Sequence, residues 1–344
     1  MQSPIVVLRF SAMGDVAMVA SVLKQLCYRN PQAQVIMVSR AHFEAFFSGI
    51  PGVKFVAFHP KTTHKGFMGL FRLFKTLRSF APATVADLHD NIRSNILLTL
   101  FRLSGIKTAQ IDKGRKEKKL FIQDPSTRSK PLKHTAVRYA EVFNHLGYSV
   151  NFTNSTLVNT RKPIPSKYQE ILQSADRGIV GIAPFAQHMP KVWPYEKMQK
   201  LIHRLDQAGV KVFLFGGGKQ EQEIVGSWIA GKENCINTIG KLDLSKELDL
   251  IANLDLMISM DSSGMHMASL EGTRCLSIWG ATHPYLGFLG IGQVFEDCLQ
   301  VEHVNRPSSV YGNKPCICDG KEAIDLVTVD IVYNKVKEIL SLEG

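Results

Sequence analysis

Ile5-Val6-Val7-Leu8-Arg9-Phe10-Ser11-Ala12-Met13-Gly14-Asp15 opens the chain with an apolar run, a tight polar turn and an acid at the head of a helical pattern. The run is short and bounded, as a buried strand is. From Asp15 to Arg29 the residues Val16, Val19, Val22, Leu23 and Leu26 recur on one face, which predicts a helix packed on that strand. Strand, turn and helix in this order begin a doubly wound α/β domain.

Working outward, strands are expected at 34–39, 53–58, 84–87 and 107–111, alternating with helices at 42–47, 67–80 and 92–104. Such alternation implies a parallel sheet covered on both faces. A helix at 135–146 follows, and the polar stretch 151–167, with Pro163 and Pro165, reads as a connection. A second series then has strands at 178–183, 211–215, 256–259 and 275–278, and helices at 195–208, 221–229, 244–252 and 264–270. A helix at 329–342 closes the chain. The expected organisation is a domain over 1–160, a linker over 161–177, a second domain over 178–325 and a terminal helix over 326–344. Two such domains in tandem place a ligand cleft between them, at the carboxyl ends of both sheets.

The length, 344 residues, suits two domains. With 45% hydrophobic and 21% charged residues, disorder and low-complexity structure are excluded. No apolar stretch approaches the roughly 20 residues of a membrane span. Arg9 and Asp15 interrupt any signal-like run, so a cytoplasmic protein is expected. Six scattered cysteines make no disulfide framework, and Cys316-Ile317-Cys318 lacks a second pair at zinc-site spacing, so no metal is expected.

The net charge of +11 is uneven: residues 1–160 hold 22 Lys+Arg against 8 Asp+Glu, and residues 161–344 hold 19 against 22. The excess gathers at 61–78 and 107–133, including Lys61, Lys65, Lys113 and Arg115. Such a surface is either a solubilising face or an attractor of anionic lipid, acidic saccharide or nucleic acid. Nucleic acid is disfavoured, because neither zinc-finger spacing nor an RNP-like aromatic motif is present.

Several segments fall where strands run into helices. Asp15 sits at a helix start, where it can serve as a base or simply cap the helix. The fingerprint G-x-G-x-x-G is absent there, which argues against a nicotinamide enzyme. Asp261-Ser262-Ser263-Gly264-Met265-His266 follows an apolar strand and opens a helix, whose free N–H groups suit a diphosphate. His266 adds a donor or is a core histidine, and Lys191, in Lys191-Val192-Trp193-Pro194, reaches a phosphate or is a surface lysine. Phe215-Gly216-Gly217-Gly218 permits close ligand approach, with Glu221 available to ribose hydroxyls. Thr282 and His283, after the strand at 275–278, should face the same cleft.

Together these motifs resemble glycosyltransferase family 9, the ADP-heptose:lipopolysaccharide heptosyltransferases. The match is in order and position: Ser11-x-Met-Gly-Asp15-Val, Asp87-Leu-His-x-x-x-Arg93-Ser, Lys191-x-Trp-Pro, Asp261-Ser-x-x-Met-His266-x-Ala and Trp279-Gly-Ala-Thr-His-Pro284, spanning about 4–295. The resemblance implies a GT-B architecture, two facing Rossmann-like domains with a C-terminal helix that commonly crosses back to the first. Asp15 is similar to the family's base. Lys191, Asp261, Ser262, Ser263, Gly264, His266 and Thr282 resemble donor contacts, with Glu221 and Leu242 near the adenosine. An anionic acceptor would meet Arg93, Lys61, Lys65 and Arg115. Ser21 and Ser263 depart from the family's usual proline and glycine, the second at the phosphate seat itself. The basic 113–133 loop matches no motif and reads as an acceptor-side insertion.

The implied reaction is an inverting displacement. Asp15 deprotonates an acceptor hydroxyl, ADP leaves, and the departing charge meets Lys191, His266 and the helix start without a required cofactor. The donor is an ADP-sugar and the acceptor a lipid-linked saccharide at the inner-membrane surface. The rival readings are a GT-B sugar-nucleotide epimerase, which needs no acceptor, and a non-catalytic nucleotide-sugar or anionic-lipid binder.

Overall fold

The computed structural model describes residues 3–150, 152, 157 and 159–342. Two compact units emerge, the first from Met1–Arg115 with Lys133–Asn154, the second from Lys116–Leu132 with Ser155–Gly344.

The first unit carries strands β1 (Ile5–Leu8), β2 (Val35–Arg40), β3 (Val53–Phe58), β4 (Thr84–Asp87) and β5 (Lys107–Gln110), all parallel, in the order β3-β2-β1-β4-β5. Helices α1 (Met13–Arg29), α2 (Gly66–Arg78) and α3 (Ile92–Leu103) join them. Residues Ala41–Phe47, expected as an α-helix, wind as a tighter 3₁₀ helix. Strand β1 is buried along its whole length, and Val6, Leu8 and Phe10 pack with Ile36, Val38, Leu73, Leu97 and Phe101. The strand order reverses direction between β1 and β4, so the loops after these two strands meet at the carboxyl edge, where doubly wound sheets hold ligands.

Beyond β5 come α4 (Arg115–Gln123) and α5 (Thr135–Leu146), and α6 (Ser166–Gln173) lies inside the expected linker. The second unit then runs through β6 (Ile179–Ala183), α7 (Tyr195–Gln207), β7 (Lys211–Leu214), α8 (Gly218–Ile229), β8 (Cys235–Asn237), α9 (Leu244–Ile251), β9 (Leu256–Met260), α10 (Ser263–Glu271), β10 (Cys275–Ile278) and β11 (Cys298–Leu299). A hairpin, β12 (Ile317–Cys318) with β13 (Lys321–Glu322), and helix α11 (Val329–Leu340) follow. The sheet order is β11-β10-β9-β6-β7-β8, again parallel, with its reversal between β6 and β9.

Two differences from the sequence reading have clear causes. Residues 116–132 belong with the second unit and not with the first domain. Phe121 is fully buried beside His283, 5.8 Å between ring centroids, and Lys118 lies over Phe288 at 4.1 Å. Arg128 donates to the carbonyls of Phe121, Ile122, Val304 and Arg306 at 2.7–2.9 Å, fastening the segment. The terminal helix likewise stays on the second unit: Val332 and Val336 join the core of β6, β7 and α7, and Arg204 of α7 pairs with Asp330 at 2.6 Å.

With 116–132 reassigned, the first unit holds 17 Lys+Arg against 6 Asp+Glu and the second 24 against 24. The entire +11 therefore resides in the first unit.

Candidate functional site

Asp15 lies in the first turn of α1, directly after the β1 loop, and its carboxylate is held on both oxygens. Arg9 Nη2 pairs with Oδ2 at 2.5 Å, and the Tyr139 hydroxyl from α5 donates to Oδ1 at 3.3 Å. Arg9 is itself buried, and its Nη1 donates to the Leu88 carbonyl at 2.8 Å, tying the β1 loop to the β4 loop. Burial is the largest influence and opposes the Arg9 charge, but Asp15, Tyr139 and Asp87 together outweigh it, so the guanidinium pKa is raised. Burial drives the Tyr139 hydroxyl pKa upward, keeping it a proton donor to Asp15. The guanidinium thus balances the Asp15 charge and fixes its orientation.

The Asp87-to-Ser94 motif is largely scaffold. Fully buried Asp87 accepts from the His89 and Asp90 amides at 2.9 and 3.1 Å, from Ser94 Oγ at 2.9 Å and from Gln110 Nε2 at 2.8 Å. His89 Nδ1 accepts from the Phe10 amide at 3.2 Å, and burial, helped by Arg9 and Lys113, pushes its pKa down to about 3. His89 is thus a neutral ring bracing the loop that carries Asp15. Arg93, in the first turn of α3, is exposed, and Arg115 pairs with Asp90 at 2.5 Å. Lys61 and Lys65 are exposed in the turn after β3. All four expected acceptor contacts follow the carboxyl ends of strands in the unit that bears Asp15.

In the second unit the reversal between β6 and β9 brings Lys191 to Asp261. Lys191 Nζ lies 2.8 Å from Asp261 Oδ2, which also accepts from Thr282 Oγ1 at 2.7 Å. Three loops, after β6, β9 and β10, converge there. Trp193 fixes the first: it is fully buried and donates through Nε1 to the Val327 carbonyl at 3.0 Å. Ser262 and Ser263 begin α10, with Ser262 Oγ 3.3 Å from Ser259 Oγ. Gly264 is required by packing, since a Cβ there would lie 2.5 Å from Ala183 Cβ and 2.7 Å from Ser259 Oγ. His266 is buried one turn further on.

Glu221 and Leu242 follow β7 and β8 at the same edge. The Glu221 carboxylate accepts from the Gly217 amide at 2.7 Å, and a Cβ on Gly216 would meet Glu221 Oε2, Ile239 and Phe185, so these groups converge on one bare stretch of backbone. His283 lies apart from the Lys191–Asp261–Thr282 cluster. Its neighbour Thr282 turns to Asp261, whereas the His283 ring enters a recess of about 580 Å³ with Arg128, Tyr285 and Phe295. Burial and the Arg306 and Arg128 charges lower its pKa to about 3.

Sequence reasoning missed Arg9, Tyr139 and the 308–312 segment. Gly312, at φ +71°, runs so close that a Cβ would sit 2.3 Å from Lys191 Cδ and 3.1 Å from Thr282 Cγ2. The Ser308 amide donates to the Ala281 carbonyl at 3.1 Å. Only the turn-forming Tyr311-Gly312-Asn313 hinted at a close approach. Among the described residues no three His, Cys, Asp or Glu side chains are grouped to hold a metal, Cys316 and Cys318 included.

Two doubly wound units, one presenting a lysine and a helix start and the other a braced carboxylate, have the two-Rossmann, GT-B architecture. The sequence profile of glycosyltransferase family 9 (heptosyltransferase) matches residues 70–288, and the chain belongs to that family. It is 35% identical over 116 residues to lipooligosaccharide heptosyltransferase 2 of Haemophilus influenzae, a match covering 32% of this chain and 33% of that protein. It therefore aligns with about one third of that relative's length. With the lipopolysaccharide core heptosyltransferase OpsX of the same organism it shares 23% identity over 342 residues, covering 97% and 96% of the two chains. Among solved structures, the family 9 glycosyltransferase from Veillonella parvula DSM 2008 superposes with a TM-score of 0.76 at 18% identity, covering 100% and 99%. Escherichia coli heptosyltransferase WaaC with ADP superposes with a TM-score of 0.65 at 19% identity, covering 98% and 99%. At these identities the likeness establishes the shared fold.

Proposed function

We propose that this chain transfers a heptose from an ADP-activated donor to an anionic, lipid-linked saccharide of the lipopolysaccharide core, working at the cytoplasmic face of the inner membrane. The observation that carries the reading is the Lys191–Asp261–Thr282 cluster at the start of α10, on the switch point of the second sheet of a family 9 chain. The ADP carried by the structurally similar WaaC supports the choice of base.

The second unit holds the donor. Lys191 and the first N–H groups of α10 take the diphosphate, and His266 adds a donor within the same turn. Asp261 has the wrong sign for a phosphate contact. Its Oδ2 orients Lys191 and Thr282, and its Oδ1 is suited to accept from hydroxyls of the sugar. Glu221 and Leu242 border the adenosine. In the first unit Asp15 takes the proton from the attacking hydroxyl, while Arg93, Arg115, Lys61 and Lys65 meet the anionic acceptor.

The C–O bond to the acceptor forms as the bond from the anomeric carbon to ADP breaks, inverting that centre, and the leaving diphosphate's charge is met by groups already in place. The test is ADP release with purified core saccharide and ADP-heptose. Asp15→Asn should lower turnover by about 10²–10⁴-fold while ADP affinity stays within about twofold. Conversion of donor without acceptor would instead identify an epimerase, and ADP-sugar binding with no ADP release a non-catalytic binder.

A further inference from the structure

Helix α2 is apolar on two opposite faces. It buries Gly69, Leu70, Leu73 and Leu77 against the first sheet. At 100° per residue its outer face then consists of Phe67, Met68, Phe71, Arg72, Lys75 and Arg78. Phe67 is 61% and Met68 72% exposed, among the largest apolar exposures of the first unit. Lys75 Nζ lies over the Phe71 ring at 5.1 Å from its centroid, so the ammonium sits on an apolar base, and Arg72 is pinned to the Thr63 carbonyl at 2.9 Å.

The charge around this face has one sign. Between Glu44 and Asp87 the chain has no acidic residue, while Lys54, Lys61, Lys65, Arg72, Lys75 and Arg78 all fall there. A second copy would press two cationic faces together. A nucleic acid would satisfy the charges but leave Phe67 and Met68 in water. An anionic bilayer offers both phases, phosphates for the cations and an acyl boundary for the apolar tips.

We propose that the outer face of α2 is a membrane-docking surface that inserts Phe67 and Met68 between the headgroups of an anionic bilayer, with Lys75 and Arg78 on its phosphates. The surface extends the reading of a membrane-borne acceptor but stands independently of the sugar chemistry.

The test is co-sedimentation of the full chain with phosphatidylcholine vesicles, with or without phosphatidylglycerol. The wild type should bind the phosphatidylglycerol vesicles, more weakly as salt rises. Phe67→Ser combined with Met68→Ser should reduce partitioning about tenfold or more at unchanged charge. Lys75→Glu with Arg78→Glu should erase the preference for phosphatidylglycerol. Ile331→Ser, on the half-exposed outer side of α11, should bind as the wild type does. Unchanged melting by circular dichroism confirms that each variant folds.

The proposal is overturned if the serine variant sediments like the wild type, or if the wild type binds neither vesicle. It is overturned too if the serine variant changes the oligomeric state in sedimentation velocity, which would assign the face to a second copy. Heptose transfer to an O-deacylated, soluble acceptor should be the same in all these variants. Absence of that transfer with vesicle binding intact would refute the transferase reading and leave the docking surface standing.

Discussion

Replacing Arg9 by methionine keeps most of the buried stem and removes the cation from Asp15. The pair is 2.5 Å long, with 8% of the Arg9 side chain and 26% of the Asp15 side chain exposed. Removing one partner of a fully buried pair costs about 3–5 kcal/mol. Here Asp15 keeps contact with water, so a loss of about 1–3 kcal/mol in denaturant unfolding at pH 7 is expected. Without the guanidinium the carboxylate loses the partner that fixes its orientation, so kcat/KM should fall about tenfold or more in Arg9→Met while ADP affinity by calorimetry stays within about twofold. Arg9→Lys, which keeps the charge, should fall between the two. If kcat/KM of Arg9→Met equals that of the wild type, the carboxylate that Arg9 holds is not the group on which transfer depends, and the base assignment fails.

Three further outcomes test the second unit. Asp261→Asn should leave ADP affinity by calorimetry equal or tighter, because a negative charge near the diphosphate is removed, yet weaken the ADP-sugar by about 10–100-fold through a lost charged hydrogen bond. Gly264→Ala, whose Cβ would sit 2.5 Å from Ala183 Cβ, should cost about 1–3 kcal/mol and lower the melting midpoint by several degrees. Phe121→Ala empties a fully buried site at a cost of about 3–5 kcal/mol, so α4 should detach and trypsin should cut at Lys116, Lys118 or Lys119 well before it does in the wild type.

The sheets were legible because their central strands are buried on both faces and so read as unbroken apolar runs, Ile5–Leu8 and Leu256–Met260 being the plainest. Helices with one apolar stripe, such as α7, were equally readable. β8 was missed because Cys235–Asn237 is only 3 residues long. α4 was taken for a loop because Arg115–Gln123 is mostly charged and its apolar content is concentrated at Leu120, Phe121 and Ile122. Which unit it joins depends on His283 and Phe288, more than 150 residues away, a separation over which no local spacing carries information. The same limit hid Tyr139, which reaches Asp15 across 124 residues. Lys191, Asp261 and Thr282 could be singled out only because each follows a strand that the pattern located. Their meeting is a property of the strand order β10-β9-β6, which crossovers set and composition does not.

Both units hold their reactive charge against a counter-ion of their own, but they do so differently, and the difference bears on turnover. Arg9 follows β1 directly and Asp15 lies in the first turn of α1, so a single strand-to-helix connection sets their pair. Lys191 and Asp261 come from separate loops, after β6 and β9. A diphosphate drawing on Lys191 must share it with Asp261, so donor binding exchanges one anion for another at the ammonium instead of adding the first. The seat thus enters each cycle already shaped, with Lys191 extended by Asp261 and covered by Gly312. On the proposed donor seat this sharing would limit how tightly ADP is held once the sugar has left, since Asp261 remains beside the lysine to take up its charge. An Asp261 variant that held ADP more tightly would then be slowed at release even where the chemical step is intact, which separates the residue's role in recognising sugar from its role in letting the nucleotide go.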